Sequence, residues 1–131
     1  MRLPPVVAAA RTDALWRHTC FEVFVRGSAD PGYYEFNFSP STQWAAYRFG
    51  GYRNGMRVAA EISAPRIEVR SSAETYTLEA AFAFDGLSSP LHLGLSAVLE
   101  ETNGRKSYWA LAHPPGKADF HHADCFALEL S

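Results

Sequence analysis

Between Trp16 and Phe49 the chain alternates apolar and polar residues with a period of two, the pattern of strands that bury one face and present the other. Thr19 to Arg26 sets Phe21, Val23 and Val25 against Cys20, Glu22 and Phe24, and Gly27-Ser28-Ala29-Asp30-Pro31-Gly32 supplies the turn that makes a hairpin with the next run. Tyr33 to Ser39 places Tyr34, Phe36 and Phe38 opposite Tyr33, Glu35 and Asn37. After Ser39 to Gln43 turns the chain, Trp44 to Phe49 places Ala45, Tyr47 and Phe49 opposite Trp44, Ala46 and Arg48. These three runs predict a meander. Their polar members, Cys20, Glu22, Glu35, Asn37 and Arg48, are expected to form one chemically equipped sheet face.

Further along, Arg57 to Ile62 and Arg66 to Ser71 are weaker strands, and Thr75 to Phe84 alternates well through Tyr76, Leu78, Ala80, Phe82 and Phe84. Leu91 to Glu101 repeats the pattern, and Thr102-Asn103-Gly104 is a hairpin turn because Asn-Gly accepts positive φ; it leads into Lys106 to Ala112. Phe126 to Leu130 closes the series after a loop rich in proline and histidine. Eight or nine short strands without a helical run predict an all-β antiparallel sandwich of immunoglobulin-like or jelly-roll-like form, or a flattened barrel. Residues 1–131 read as one domain, with 1–14 a loose or extended lead-in broken by Pro4 and Pro5.

Composition changes this picture little and excludes several functions. At 131 residues, 47% hydrophobic and 20% charged, the chain has material for a single core. Twelve Lys and Arg against fourteen Asp and Glu, with no basic block, argue against nucleic acid as a partner. No run approaches the roughly 18 apolar residues of a membrane helix, and the N-terminal apolar run is short for a signal peptide, so a cytoplasmic protein is expected. Cys20 and Cys125 belong to no Cys-x-x-Cys pair; free thiols are the expectation, with a disulfide between the first and last strands left open.

Candidate chemistry is sparse. No Gly-x-Ser-x-Gly elbow or other nucleophile signature is present, His18 beside Cys20 has no orienting third group, and the glycine-rich segment Gly50 to Gly55 matches no phosphate-binding fingerprint, so an enzyme is the least favoured class. His113, His121, His122 and Asp124 lie within one loop and offer imidazole and carboxylate donors, but their spacing fits no standard metal set. Trp16, Trp44 and Trp109 are better placed. Indole beside carboxylate, amide and guanidinium is the chemistry of a small-molecule site, so Trp16, His18, Glu22, Asn37, Trp44, Arg48 and Trp109 are the expected ligand-binding residues.

The segments Leu15-Trp16-Arg17-His18-Thr19-Cys20-Phe21-Glu22-Val23-Phe24 and Tyr34-Glu35-Phe36-Asn37-Phe38-Ser39-Pro40, closing with Phe120-His121-His122, resemble the DOMON-like group related to family 9 carbohydrate-binding modules. Trp16, Glu22, Tyr34, Ser39 and Pro40 carry the likeness. The resemblance implies a DOMON-type sandwich that binds a small polar ligand, such as a saccharide, without catalysis and without a cofactor. It also implies an alternative, a haem or divalent-metal domain, in which Met56 with His113 or His121 would ligate iron, or His18, His113, His121 or His122 a metal. Members of the group carry one or two strands ahead of the Leu-Trp-Arg-His segment, and this chain begins after them. An uncovered sheet edge and a homodimer are therefore expected.

Overall fold

A computed structural model describes residues 1–28, 30–83, 87, 89–116 and 118–130. Ala29 of the first turn, Phe84 of the expected sixth strand and Lys117 of the histidine-bearing loop lie outside the described residues. Among the described residues there are nine strands: β1 (Cys20–Arg26), β2 (Tyr33–Phe38), β3 (Trp44–Phe49), β4 (Arg57–Val58), β5 (Arg66–Ser71), β6 (Tyr76–Ala81), β7 (Leu91–Glu100), β8 (Lys106–Ala110) and β9 (Leu128–Leu130). Among the described residues the only helical turns are 3-10, at Leu15–Arg17 and Ala123–Cys125, and no helix is long and apolar enough to cross a membrane.

Seven strands form one antiparallel sheet in the order β4-β3-β2-β1-β7-β8, with β9 also paired to β7, and β5 and β6 make a separate hairpin. The sandwich follows from where the apolar sets of β1, β2 and β7 point. Val23, Val25, Tyr34, Phe36, Phe38 and Leu93 share one face, and Ile67, Leu78, Ala80 and Phe82 of the hairpin segment close over it. The Phe36 and Phe82 rings lie 4.5 Å apart between centroids, a packing that contributes beyond the area buried. On the opposite face Phe24, Tyr33, Tyr47, Phe49 and Val98 are covered by Phe120 and Phe126 from the C-terminal loop. Gly94 permits this: a Cβ there would come within 2.9 Å of the Cys125 carbonyl oxygen, so only glycine lets the loop backbone lie against β7.

β4 is shorter than its alternation suggests, because the chain turns at Ala60 to Ile62 and the Ile62 side chain drops into the core. The lead-in is extended but tethered. Val7 N–H donates to the Ser41 carbonyl, Thr12 N–H to that of Trp44, and the Arg11 guanidinium to the carbonyls of Ala59 and Ile62 at 3.2 and 2.7 Å. Cys20 and Cys125 are buried free thiols.

Candidate functional site

The hairpin joining β1 and β2 pairs Glu22 with Asn37 and Phe24 with Glu35. Glu22 and Glu35 therefore stand diagonally across adjacent strands on one face, within reach of each other's side chains. That face is not fully covered. The C-terminal loop closes one end with Phe120 and His121, and the 3-10 turn at Leu15–Arg17 closes another with Trp16. A cleft of about 530 Å³ remains, lined by Trp16, Glu22, Glu35, Arg53, Tyr108 and His121 among others. Ala14, in the left-handed conformation at φ 61°, swings the turn over the sheet. The Tyr47 hydroxyl donates to the Asp13 carboxylate and anchors it, and the Trp16 and Tyr47 rings meet edge to face at 5.8 Å.

The floor is two carboxyl groups with no strong cation. Glu22 is 5% and Glu35 4% exposed, and among the described residues the one basic side chain within 4 Å of either carboxyl is His121, whose Nε2 lies 3.4 Å from Glu35 Oε1. Burial, then the neighbouring Glu35 charge, hold Glu22 protonated well above the usual carboxylate range; its proton is donated to Glu35. Burial raises Glu35 to about 7, opposed by the nearby Asn37 amide, by the proton of Glu22 and by the Arg53 charge. The two carboxyls therefore share protons as a pair.

A directional chain fixes the histidine. The Arg53 backbone N–H donates to the Tyr33 hydroxyl at 3.1 Å, and that hydroxyl lies 2.7 Å from His121 Nδ1. With the Glu35 carboxyl facing Nε2, the tautomer that satisfies both ring nitrogens carries its hydrogen on Nε2 and accepts the Tyr33 hydroxyl proton at Nδ1. Burial first, then Arg53, lower the His121 pKa to about 4, so the ring is neutral near pH 7. Arg53 is held in turn by Asp119, with Nη2 2.7 Å from Oδ1. Asn37 is wholly buried between these groups. Both its amide atoms lack hydrogen-bond geometry to any described residue, although the amide is near enough to Glu35 to favour its ionised form.

The expected ligand set is divided by the sheet. Trp16 and Glu22 line the cleft and Asn37 faces the same side. Trp44 and Arg48 do not: Phe38 pairs with Trp44 and Tyr34 with Arg48, which puts both in the phase of the closed face. Trp44 is buried there beneath the Arg11 guanidinium, 4.2 Å from its ring centre. The Arg48 guanidinium stacks on Tyr34 at 4.8 Å and pairs with Asp30. Glu22, Asn37 and Arg48 therefore share no hollow, because the turn at Ser39 to Gln43 returns the chain with Tyr47, not Arg48, beside Glu35. His18 lies outside the cleft lining, with Nδ1 3.2 Å from Glu100. Trp109 pairs with Ala97 on the closed-face side and is 60% exposed beyond the hairpin.

The histidine loop is dispersed as well. His122 Nδ1 accepts from the Asp124 N–H and caps the 3-10 turn, the His113 ring lies 6.0 Å from Phe120, and no metal-holding group of three such side chains forms among the described residues. Met56 and His121 both line the cleft, but Tyr33 and Glu35 engage the two His121 nitrogens, so the donors present do not fit axial ligation of haem iron. Tyr33, Arg53 and Tyr108 were not expected at the site, and Glu35, expected on the equipped sheet face, was not among the expected ligand-binding residues. Alternation put Glu35 on the face of Asn37, and the signal that would have promoted it was a second acid on the strand next to Glu22.

The fold and the cleft define an all-β sandwich domain with one face packed under the β5–β6 hairpin and one partly open over buried acids. No protein-family model, curated protein or solved structure matches the chain.

Proposed function

We propose that this domain is a non-catalytic binding module, akin to the DOMON-like and family 9 carbohydrate-binding domains, that holds a small polar ligand, a saccharide, in the cleft above Glu22 and Glu35. The observation that carries the reading is the carboxyl pair on the cleft floor with the unpartnered Asn37 amide beside it. Buried polar groups without partners are costly, and a hydroxyl-rich guest supplies both donors and acceptors to them. Trp16 and Tyr108 on the cleft wall offer ring faces for the apolar side of a sugar.

Tryptophan fluorescence titrated with a panel of monosaccharides tests this. Trp16 lines the cleft while Trp44 and Trp109 face the other side of the sheet, so a saturable change that disappears in Trp16→Phe is the expected result. No response to any sugar would remove the reading. Pairing of two copies through β8, which among the described residues has a strand partner on one side only, belongs to the same proposal. Light scattering at twice the chain mass is expected, and a monomer mass would discard it.

A further inference from the structure

The cleft carries an asymmetry that a neutral sugar leaves unanswered. Two carboxyl groups are nine-tenths buried on its floor, and the nearest basic side chain, His121, is neutral. A buried carboxylate without a cation is expensive, and attraction to a matching charge offsets that cost. The other charged groups facing the pair do not provide one. Arg53 is committed to Asp119, and Arg17 and Lys106 stand exposed at the mouth, where water and salt screen them. Cys20, buried on the same strand, is kept as a neutral thiol by desolvation and by the two acids.

Resting on the saccharide reading, we propose that the ligand is an amino sugar whose protonated amine sits on the floor between Glu22 and Glu35. An ammonium group is a compact donor of three hydrogen bonds with no acceptor. Glu22 and Glu35 supply acceptor oxygens as their shared proton leaves, and Asn37, wholly buried on the same sheet face behind the cleft lining, backs the pair. The aromatic walls suit the same guest. Trp16, Phe49, Tyr108 and Phe120 line the cleft, and ring faces attract cations that have left water. The sugar ring then lies toward Trp16 and the mouth, with its hydroxyls in reach of Arg17 and Lys106.

Calorimetric titration of the full chain with glucosamine, glucose and N-acetylglucosamine at pH 6.5 separates the two layers of the claim. The three share a ring and differ in a charged amine, a hydroxyl and a neutral amide, and pH 6.5 is below the titration range of an α-amino-type group, about 7.7–8.0. Glucosamine is expected to bind at least about tenfold tighter than the other two. In Glu35→Gln and Glu22→Gln, each checked for native circular dichroism, that preference is expected to fall below about threefold. Equal affinities for all three sugars would overturn the amine assignment and leave the cleft reading standing. No binding of any of the three would overturn the saccharide reading and the amine assignment with it. A native-like Glu35→Gln that keeps the full preference would also overturn the assignment, and the wild-type ratio decides it even where neither variant folds.

Discussion

On one face of the seven-stranded sheet, Phe36 and Phe38 pack tilted against Phe82 and are covered by a hairpin of alternating Ile67, Leu78 and Ala80. On the other face, one step along the same strands, Glu22 and Glu35 are nearly as deeply buried but line a cleft, with the wholly buried Asn37 beside them. The comparison teaches that burial alone does not separate a core from a site. Dispersion and area stabilise the closed face, whereas the open face holds groups whose desolvation opposes folding and is tolerated because the rest of the sheet over-determines their positions.

The largest expected effect lies on the closed face. Phe36→Ala removes a ring that is 1% exposed and is expected to cost about 3–5 kcal/mol in urea denaturation, because the rigid β2 backbone and the hairpin cannot fill the cavity. Sugar affinity of the protein that remains folded should not change.

Next comes Glu35→Gln, which should act in the opposite direction on stability. Burial lifts the Glu35 pKa from its ordinary 4.5 to about 7, so the folded chain holds the proton more tightly than the unfolded chain. The stability linked to that proton is fully present below about pH 4.5 and is lost as the pH rises through about 7. The wild-type melting temperature should therefore fall between pH 5.5 and pH 8, and the variant should be flatter and more stable at pH 8, by on the order of 2 kcal/mol. His121 works the other way. Its pKa is depressed from 6.5 to about 4, so its contribution is present above about 6.5 and lost as the pH falls through about 4.

Tyr33→Phe is expected to cost about 1 kcal/mol, since it leaves the Arg53 N–H and His121 Nδ1 without their shared hydroxyl. A nitrogen-15 spectrum of the imidazole should show the tautomer no longer confined to the Nε2–H form; an unchanged spectrum would mean that Glu35 alone orients the ring. Smallest is Trp109→Ala. With Trp109 60% exposed and its Nε1–H donating to the nearby Ser107 hydroxyl, the change should stay within about 0.5 kcal/mol and leave sugar binding intact, and a loss of binding would move the site to the other face.

The architecture was largely legible in the chain because strand alternation is local: β1, β2, β3 and β5 begin and end within a residue of their apolar-polar runs. The Asn103-Gly104 turn joins β7 to β8 where its positive-φ preference demands, with Gly104 at φ 87°. The site was only half legible. Alternation tells which residues of one strand share a side, but the phase between strands depends on turn geometry, and the five residues from Ser39 to Gln43 place Arg48 against Tyr34 and not beside Glu35. His121 was visible only as a metal candidate. Its actual neighbours, Tyr33 and Glu35, both come from β2, nearly ninety residues away, and carry no local mark.

The central claim, that the open face keeps Glu22 and Glu35 as a proton-sharing pair on a cleft floor, is tested most directly by carbon-13 detection of the side-chain carboxyl resonances across a pH titration. The account predicts that neither resonance moves in the ordinary range near pH 4.5, that one step occurs near pH 7 and is felt by both carbons, and that the second lies higher. Two independent transitions close to 4.5 would contradict it.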